Sequence, residues 1–161
     1  MTAAKQRNLI ASAAIFSAVT LLLSGCAATG GSNVHADDAK AEAVAFLKDT
    51  MQHEQDVAWP PVPTPVATRC SDGDDGVRFQ YFVSVDTDVD SQKIASTLQS
   101  YWTSRGLEVK PSQEDFGKYG VMYSATARAD RMPRGAYEIS STGINLYVDS
   151  QCAEGKVSDY E

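Results

Sequence analysis

The chain has 161 residues, 43% of them hydrophobic and 22% charged, and its 21 acidic and 14 basic side chains give a formal charge of −7. That length suits one domain with a real core, and the acidic balance argues against a nucleic-acid binder, which must neutralise phosphates with Lys and Arg. Three cysteines and two histidines leave little material for a metal centre or a histidine-based triad.

Lys5 and Arg7 open the chain, and no further charge occurs until Asp37. Residues 9–23 are mostly Ala, Leu, Ile, Val and Phe. A basic start, an apolar core and small residues before a cut site are the parts of a secretory signal. At 15 residues the run falls short of the ~20 needed to cross the hydrocarbon, and no basic stop-transfer cluster follows, so a transmembrane anchor is the weaker reading. Leu23-Ser24-Gly25-Cys26 resembles the lipobox of bacterial lipoproteins. The resemblance implies cleavage between Gly25 and Cys26 and a diacylglyceryl group on the Cys26 thiol, whose thiolate is the nucleophile that thioether formation needs. Two acyl chains anchor stably where one binds only marginally. The expected processed chain, 26–161, keeps 12 basic against 21 acidic side chains, a formal charge of −9. The lipid rather than the protein surface is then expected to hold it to the outer, extracytoplasmic face of the cell membrane.

Residues 27–36, rich in Gly, Ser and Ala, complete a flexible tether spanning 26–36. A single domain is expected over 37–161. Its first helix is predicted over 37–56, with Val44, Leu47 and Met51 at helical spacing, Ala36, Ala39 and Ala43 beside them, and Asp37 and Asp38 in the first turn. Four prolines between Pro60 and Pro65 then make 59–66 an extended connector. "VRFQYFVSV" alternates as a half-buried strand, Val77, Phe79, Tyr81, Val83 and Val85 on one face and Arg78, Gln80, Phe82 and Ser84 on the other. Ile94, Leu98, Tyr101 and Trp102 form the stripe of a second helix, with Asp88, Asp90 or Ser91 to cap its start and Gly106 its end. "LEVK" is read as a short strand stopped by Pro111. Three more strands are predicted over 119–128, 136–140 and 144–148, joined by turns at "RMPRG" and "STG". The order α-β-α-β-β-β-β gives an α+β fold with a mainly antiparallel sheet of about five strands and two helices packed on it.

Cys70 precedes the first of these strands and Cys152 follows the last, so the two are expected to form a disulfide across antiparallel neighbours within a core at 70–152. The lipobox, the proline-bearing link, "RCSDG" leading into an aromatic strand and the terminal "SQC" resemble small LppA-like lipoproteins of high-GC Gram-positive bacteria. That resemblance implies an envelope location and a disulfide-closed α+β domain, and it hands over no catalytic residues.

Chemistry-bearing motifs are sparse. Asp86, Asp88 and Asp90 have the spacing of the first ligands of an EF-hand, but Ser91 and Thr97 stand where that loop needs Gly and Glu. Asp72, Asp74 and Asp75 look metal-like, but Gly73 and Gly76 make their stretch a turn before a strand. His53-Glu54 opens like a zinc-protease motif, but Val57 occupies the second histidine's place. No metal or cofactor is expected. The second sheet face would carry Phe82, Met122 and Tyr147 among polar residues, either as a binding face or as a surface covered by the first helix, and cover is the preferred reading. The functional expectation is a monomeric, membrane-tethered binding domain for an envelope protein or a small-molecule ligand. The alternative is an envelope enzyme or accessory subunit, which would need a deep pocket converging on buried Asp or Glu.

Overall fold

The computed structural model describes residues 34–70 and 76–160. The expected signal peptide at 1–25, Cys26, most of the expected tether and the expected turn at Asp72–Asp75 lie outside them. The tether's expected end belongs to the fold. Val34 packs against the core and its carbonyl accepts from Glu154 N at 2.9 Å, and Ala36 is buried.

Helix α1 (Ala36–Gln52) buries Ala39, Ala43, Phe46, Leu47 and Thr50. Its apolar stripe centres on Phe46 and Leu47, with Val44 and Met51 at the margins. It ends before residue 56 because the following residues turn back. Glu54 N bonds to Met51 O, Val57 N bonds to Glu54 O, and the Trp59 indole donates to Glu54 O at 3.0 Å. The proline-rich segment leads into β1 (Val66–Arg69), a strand of four residues that the connector reading missed. So short a strand shows no period of its own, and its pairing with β2 (Val77–Asp86) defines it.

Helix α2 (Ser91–Ser104) starts at Asp90, whose carboxylate accepts from Gln92 N and Lys93 N. It ends where Gly106, at φ +83°, takes the left-handed conformation. Leu107 N then reaches Trp102 O and Gly106 N reaches Thr103 O, the paired bonds of a Schellman cap. Strand β3 (Glu108–Asp115) runs straight through Pro111, contrary to the expected stop. It is an edge strand, where a residue without an N–H is tolerated on the unpaired side. A short 3₁₀ turn, Gly117–Tyr119, takes Tyr119 out of the next strand, β4 (Val121–Arg128). Hairpins β5 (Arg134–Ile139) and β6 (Gly143–Asp149) complete an antiparallel sheet of six strands in the order β1-β2-β6-β5-β4-β3.

Both helices pack on one face of this sheet, over Phe79, Tyr81, Val83, Tyr137, Ile139, Ile144, Leu146 and Val148. Trp102 is fully buried between Phe46, with ring centroids 6.1 Å apart, and Tyr137, at 5.4 Å. Its indole donates to Thr50 Oγ1 at 3.1 Å, and that hydroxyl donates to Phe46 O at 2.8 Å. Because β2 and β6 are antiparallel neighbours, Cys70 and Cys152 come together, with their sulfurs 2.02 Å apart and Cα atoms 5.9 Å apart.

Gly135 lies under Trp102, where an added Cβ would stand 2.9 Å from Trp102 Cζ2 and 3.2 Å from Phe46 Cε1. Gly135→Ala is therefore expected to lose about 1–3 kcal/mol of stability by overpacking, measured by urea unfolding, although the same exchange stabilises an unhindered site. An unchanged or raised stability would mean that the indole does not rest on β5. The paired Cys70→Ser and Cys152→Ser variant is expected to lose roughly 2–5 kcal/mol. Equal stability of reduced and oxidised wild-type protein would show that the pair contributes nothing.

Candidate functional site

With both helices on one side, the opposite sheet face is open among the described residues from Gln80 and Phe82 across to Lys110, although Arg78, which shares that face on β2, is buried. This opening overturns the preferred reading that α1 covers the face. The face is built in rows by the strand register. One row runs Phe82, Tyr147, Ala136, Thr126, Lys110 across β2, β6, β5, β4 and β3. The next carries Ser84, Asn145, Glu138, Ser124 and Ser112. Phe82 is 51% exposed, and its ring lies 5.0 Å from that of Tyr147 at a tilt of 35°. A half-exposed aromatic pair on a sheet is a concentrated apolar patch in a polar surround.

Polar side chains fix the platform. The Tyr147 hydroxyl donates to Glu138 Oε2 at 3.2 Å, and Ser84 Oγ donates to Asn145 Oδ1 at 2.9 Å. Gln80 Nε2 donates to Asp149 Oδ1 at 3.2 Å. Desolvation and the Glu138 carboxylate push the Tyr147 phenol up from its ordinary value, so it stays a protonated donor. Met122, the third expected member, lies on the same face further along β4 and is half-buried. It pairs with Glu114 and lines a cavity of about 210 Å³ with Ser84, Glu138 and Asn145 of the second row.

Beyond Tyr147 the small Ala136 leaves a basin of about 340 Å³, bordered by Lys110, Arg128, Arg134 and Asp149. The Glu108 carboxylate sits between two of these cations, 3.3 Å from Lys110 Nζ and 3.6 Å from Arg128 Nε, and they hold its carboxyl below the usual carboxylate range. Single-sequence reading missed this convergence because the cations come from three strands. The available signal was the alternation that puts Lys110, Arg128 and Arg134 in outward positions.

Of the Asp86, Asp88 and Asp90 motif, Asp86 lines the Met122 cavity. Asp90 is occupied as the α2 cap. Among the described residues no group of three or more His, Cys, Asp and Glu side chains could hold a metal ion. Of His53-Glu54, the imidazole stacks on Tyr101 at 3.7 Å while Glu54 turns inward and is 4% exposed. Glu54 Oε1 has no hydrogen-bond partner within the fold. Burial pushes its carboxyl above the ordinary value, and hydrogen bonding to Thr97 and the charge of Lys93 offset only part of that. A neighbouring shallow groove is lined by His53, Lys93, Ser96, Thr97, Ser100, Tyr101 and Ser104, and Glu54 is not part of its wall.

No protein family model, curated protein or solved structure matches this chain. Among the described residues no helix is long and apolar enough to cross a membrane.

The raised Glu54 pKa favours the protonated form in the folded state. Its contribution is present at low pH and lost as pH rises through the folded pKa. Glu54→Gln is therefore expected to stabilise the protein at neutral pH by up to about 1 kcal/mol, with the advantage shrinking as pH falls below the folded pKa. Thermal unfolding across pH 4 to 8 checks this, and a difference that does not vary with pH would refute it.

Proposed function

We propose that this protein is a lipid-anchored, extracytoplasmic binding domain of a bacterial envelope. The lipobox Leu23-Ser24-Gly25-Cys26 supports the anchor, since each position suits cleavage before a thiol that accepts diacylglycerol. The loose likeness to LppA-like lipoproteins points the same way. The observation that carries the binding role is the open sheet face. Phe82 remains half exposed against Tyr147 although the fold has two helices with which to cover a sheet. Leaving that apolar area in water forgoes stabilisation of about 25 cal/mol per Å², and a partner's surface or a ligand would recover it. On this reading the domain works as a monomer, with its helix face supplying the core and its outer face meeting the ligand.

Two measurements test the two halves. Mass spectrometry of protein from membranes is expected to find Cys26 as the first residue carrying acyl mass, and Cys26→Ala to release the protein or block its processing. An uncut, unmodified N-terminus ends the lipoprotein reading. For the binding half, Phe82→benzoylphenylalanine is expected to give a discrete photo-adduct on intact cells. The same substitution at Lys48, exposed on α1, is expected to give none. Equal labelling from both positions, or none from either, removes the special role of the sheet face.

A further inference from the structure

We propose that the basin beside Tyr147 binds a saccharide carrying carboxylate groups. The inference rests on the reading of the open sheet as a binding surface and names the ligand class for that surface. At about 340 Å³ the basin lies at the small end of ligand sites, large enough for one or two sugar rings with the rest along the open row.

Charge gives the first argument. In an expected processed chain of net charge −9, Lys110, Arg128 and Arg134 converge on one basin from three strands. Two of them already embrace a carboxylate, that of Glu108, at 3.3 and 3.6 Å. Glu108 therefore stands in for the acid group of a ligand, which would meet Lys110 and Arg128 in its place or beside it. All three of these residues are more than half exposed at their side chains, so the arrangement can rearrange at little cost.

The remaining lining separates a saccharide from other anions. Asp149 and the nearby Glu138 are acceptors, which repel a bare anion but accept hydrogen bonds from hydroxyl groups. Tyr147 adds an apolar ring wall held in place by Glu138, against which the C–H face of a sugar packs. A peptide bound by strand addition would need a free sheet edge. Here β4, β5 and β6 have their ladders paired on both sides, and the free edge is the far side of β3, beyond Lys110. Within the basin only side chains are left to recognise the ligand, which suits a polyhydroxylated one. From Tyr147 to Lys110 the row crosses three strand spacings, roughly 14 Å, so more than one ring can lie along it.

Isothermal titration of the full-length protein in detergent tests this, with trigalacturonate as probe, maltotriose as its uncharged counterpart and citrate as an anion without rings. Trigalacturonate is expected to bind, and to weaken as salt is raised. Arg134→Ala and Tyr147→Ala are each expected to weaken it about five-fold or more. Glu108→Gln, which frees Lys110 and Arg128, is expected to tighten it. Arg134 and Glu108 are exposed, so Arg134→Ala and Glu108→Gln are expected to keep a melting temperature close to wild type. Tyr147→Ala, which loses the Phe82 contact and the Glu138 hydrogen bond, is expected to melt lower and is titrated at a temperature where it is fully folded. Absence of trigalacturonate binding overturns the inference, as does binding that neither Arg134→Ala nor Tyr147→Ala weakens. Maltotriose or citrate binding as tightly as trigalacturonate overturns it too. If trigalacturonate fails while the Phe82 photo-adduct still forms, only the ligand class falls. If both fail, the binding-face reading falls with it.

Discussion

The Trp102 indole lies fully buried among α1, α2 and the sheet, with its N–H on Thr50 Oγ1 and its six-membered ring over Gly135. A buried indole must both find an acceptor and fill a large volume. Thr50 supplies the acceptor, and its own hydroxyl proton goes to Phe46 O, so the chain of donors ends satisfied. Gly135 supplies the volume. This one contact fixes where α1 sits on α2 and how both lie on β5, and the rest of the core packs around it. Tyr137 extends the same unit by donating to Ala95 O and accepting from Gln99 Nε2. The Schellman cap that ends α2 begins on the carbonyl of Trp102 itself.

Drawing both helices to one face has a direct consequence for the other. A six-stranded sheet has two broad surfaces, and two helices of 17 and 14 residues cover one of them. The outer surface is left with alternate residues chosen for water, and Phe82 and Tyr147 depart from that pattern. The two sheet edges are protected differently. β3 carries Glu108, Lys110, Pro111, Glu114 and Asp115, charges and a proline that discourage pairing with another chain. β1 is only four residues long and leads directly into Cys70. The β3 edge is thus guarded by charge and proline, whereas the β1 edge is kept short and leaves Val66 65% exposed.

Local pattern made much of this visible in advance. The alternation from Val77 to Val85 gave the faces of β2 except at Arg78, which is buried, the stripe Ile94, Leu98, Tyr101 and Trp102 gave the buried side of α2, and the bracketing positions of Cys70 and Cys152 gave the pair. The misreadings share a cause. Pro111 is compatible with a strand only because β3 is at an edge, and edge status is a property of strand order. β1 exists because β2 offers it a partner. Phe46 is central to α1 because Trp102 stands opposite it, 52 residues after Thr50. In each case the deciding neighbour is remote in sequence. The candidate site behaves likewise. Phe82 and Tyr147 were legible as outward aromatics, but the basin of Lys110, Arg128 and Arg134 depends on the β3-β4-β5 register.

By itself the amino-acid sequence determined the elements whose hydrophobic period is complete within one segment, the α+β class that follows from their order, and the lipobox with its expectation of a tethered domain. Those signals are local, because helix and strand periods and peptidase motifs are read over a few consecutive residues. Only the tertiary structure decided that six strands pair, that both helices share a face, and that Glu54 turns inward while Phe82 stays out. Which face of a sheet meets a helix is settled by competition among all apolar surfaces at once, with the bulk of Trp102 and the space at Gly135 deciding it here.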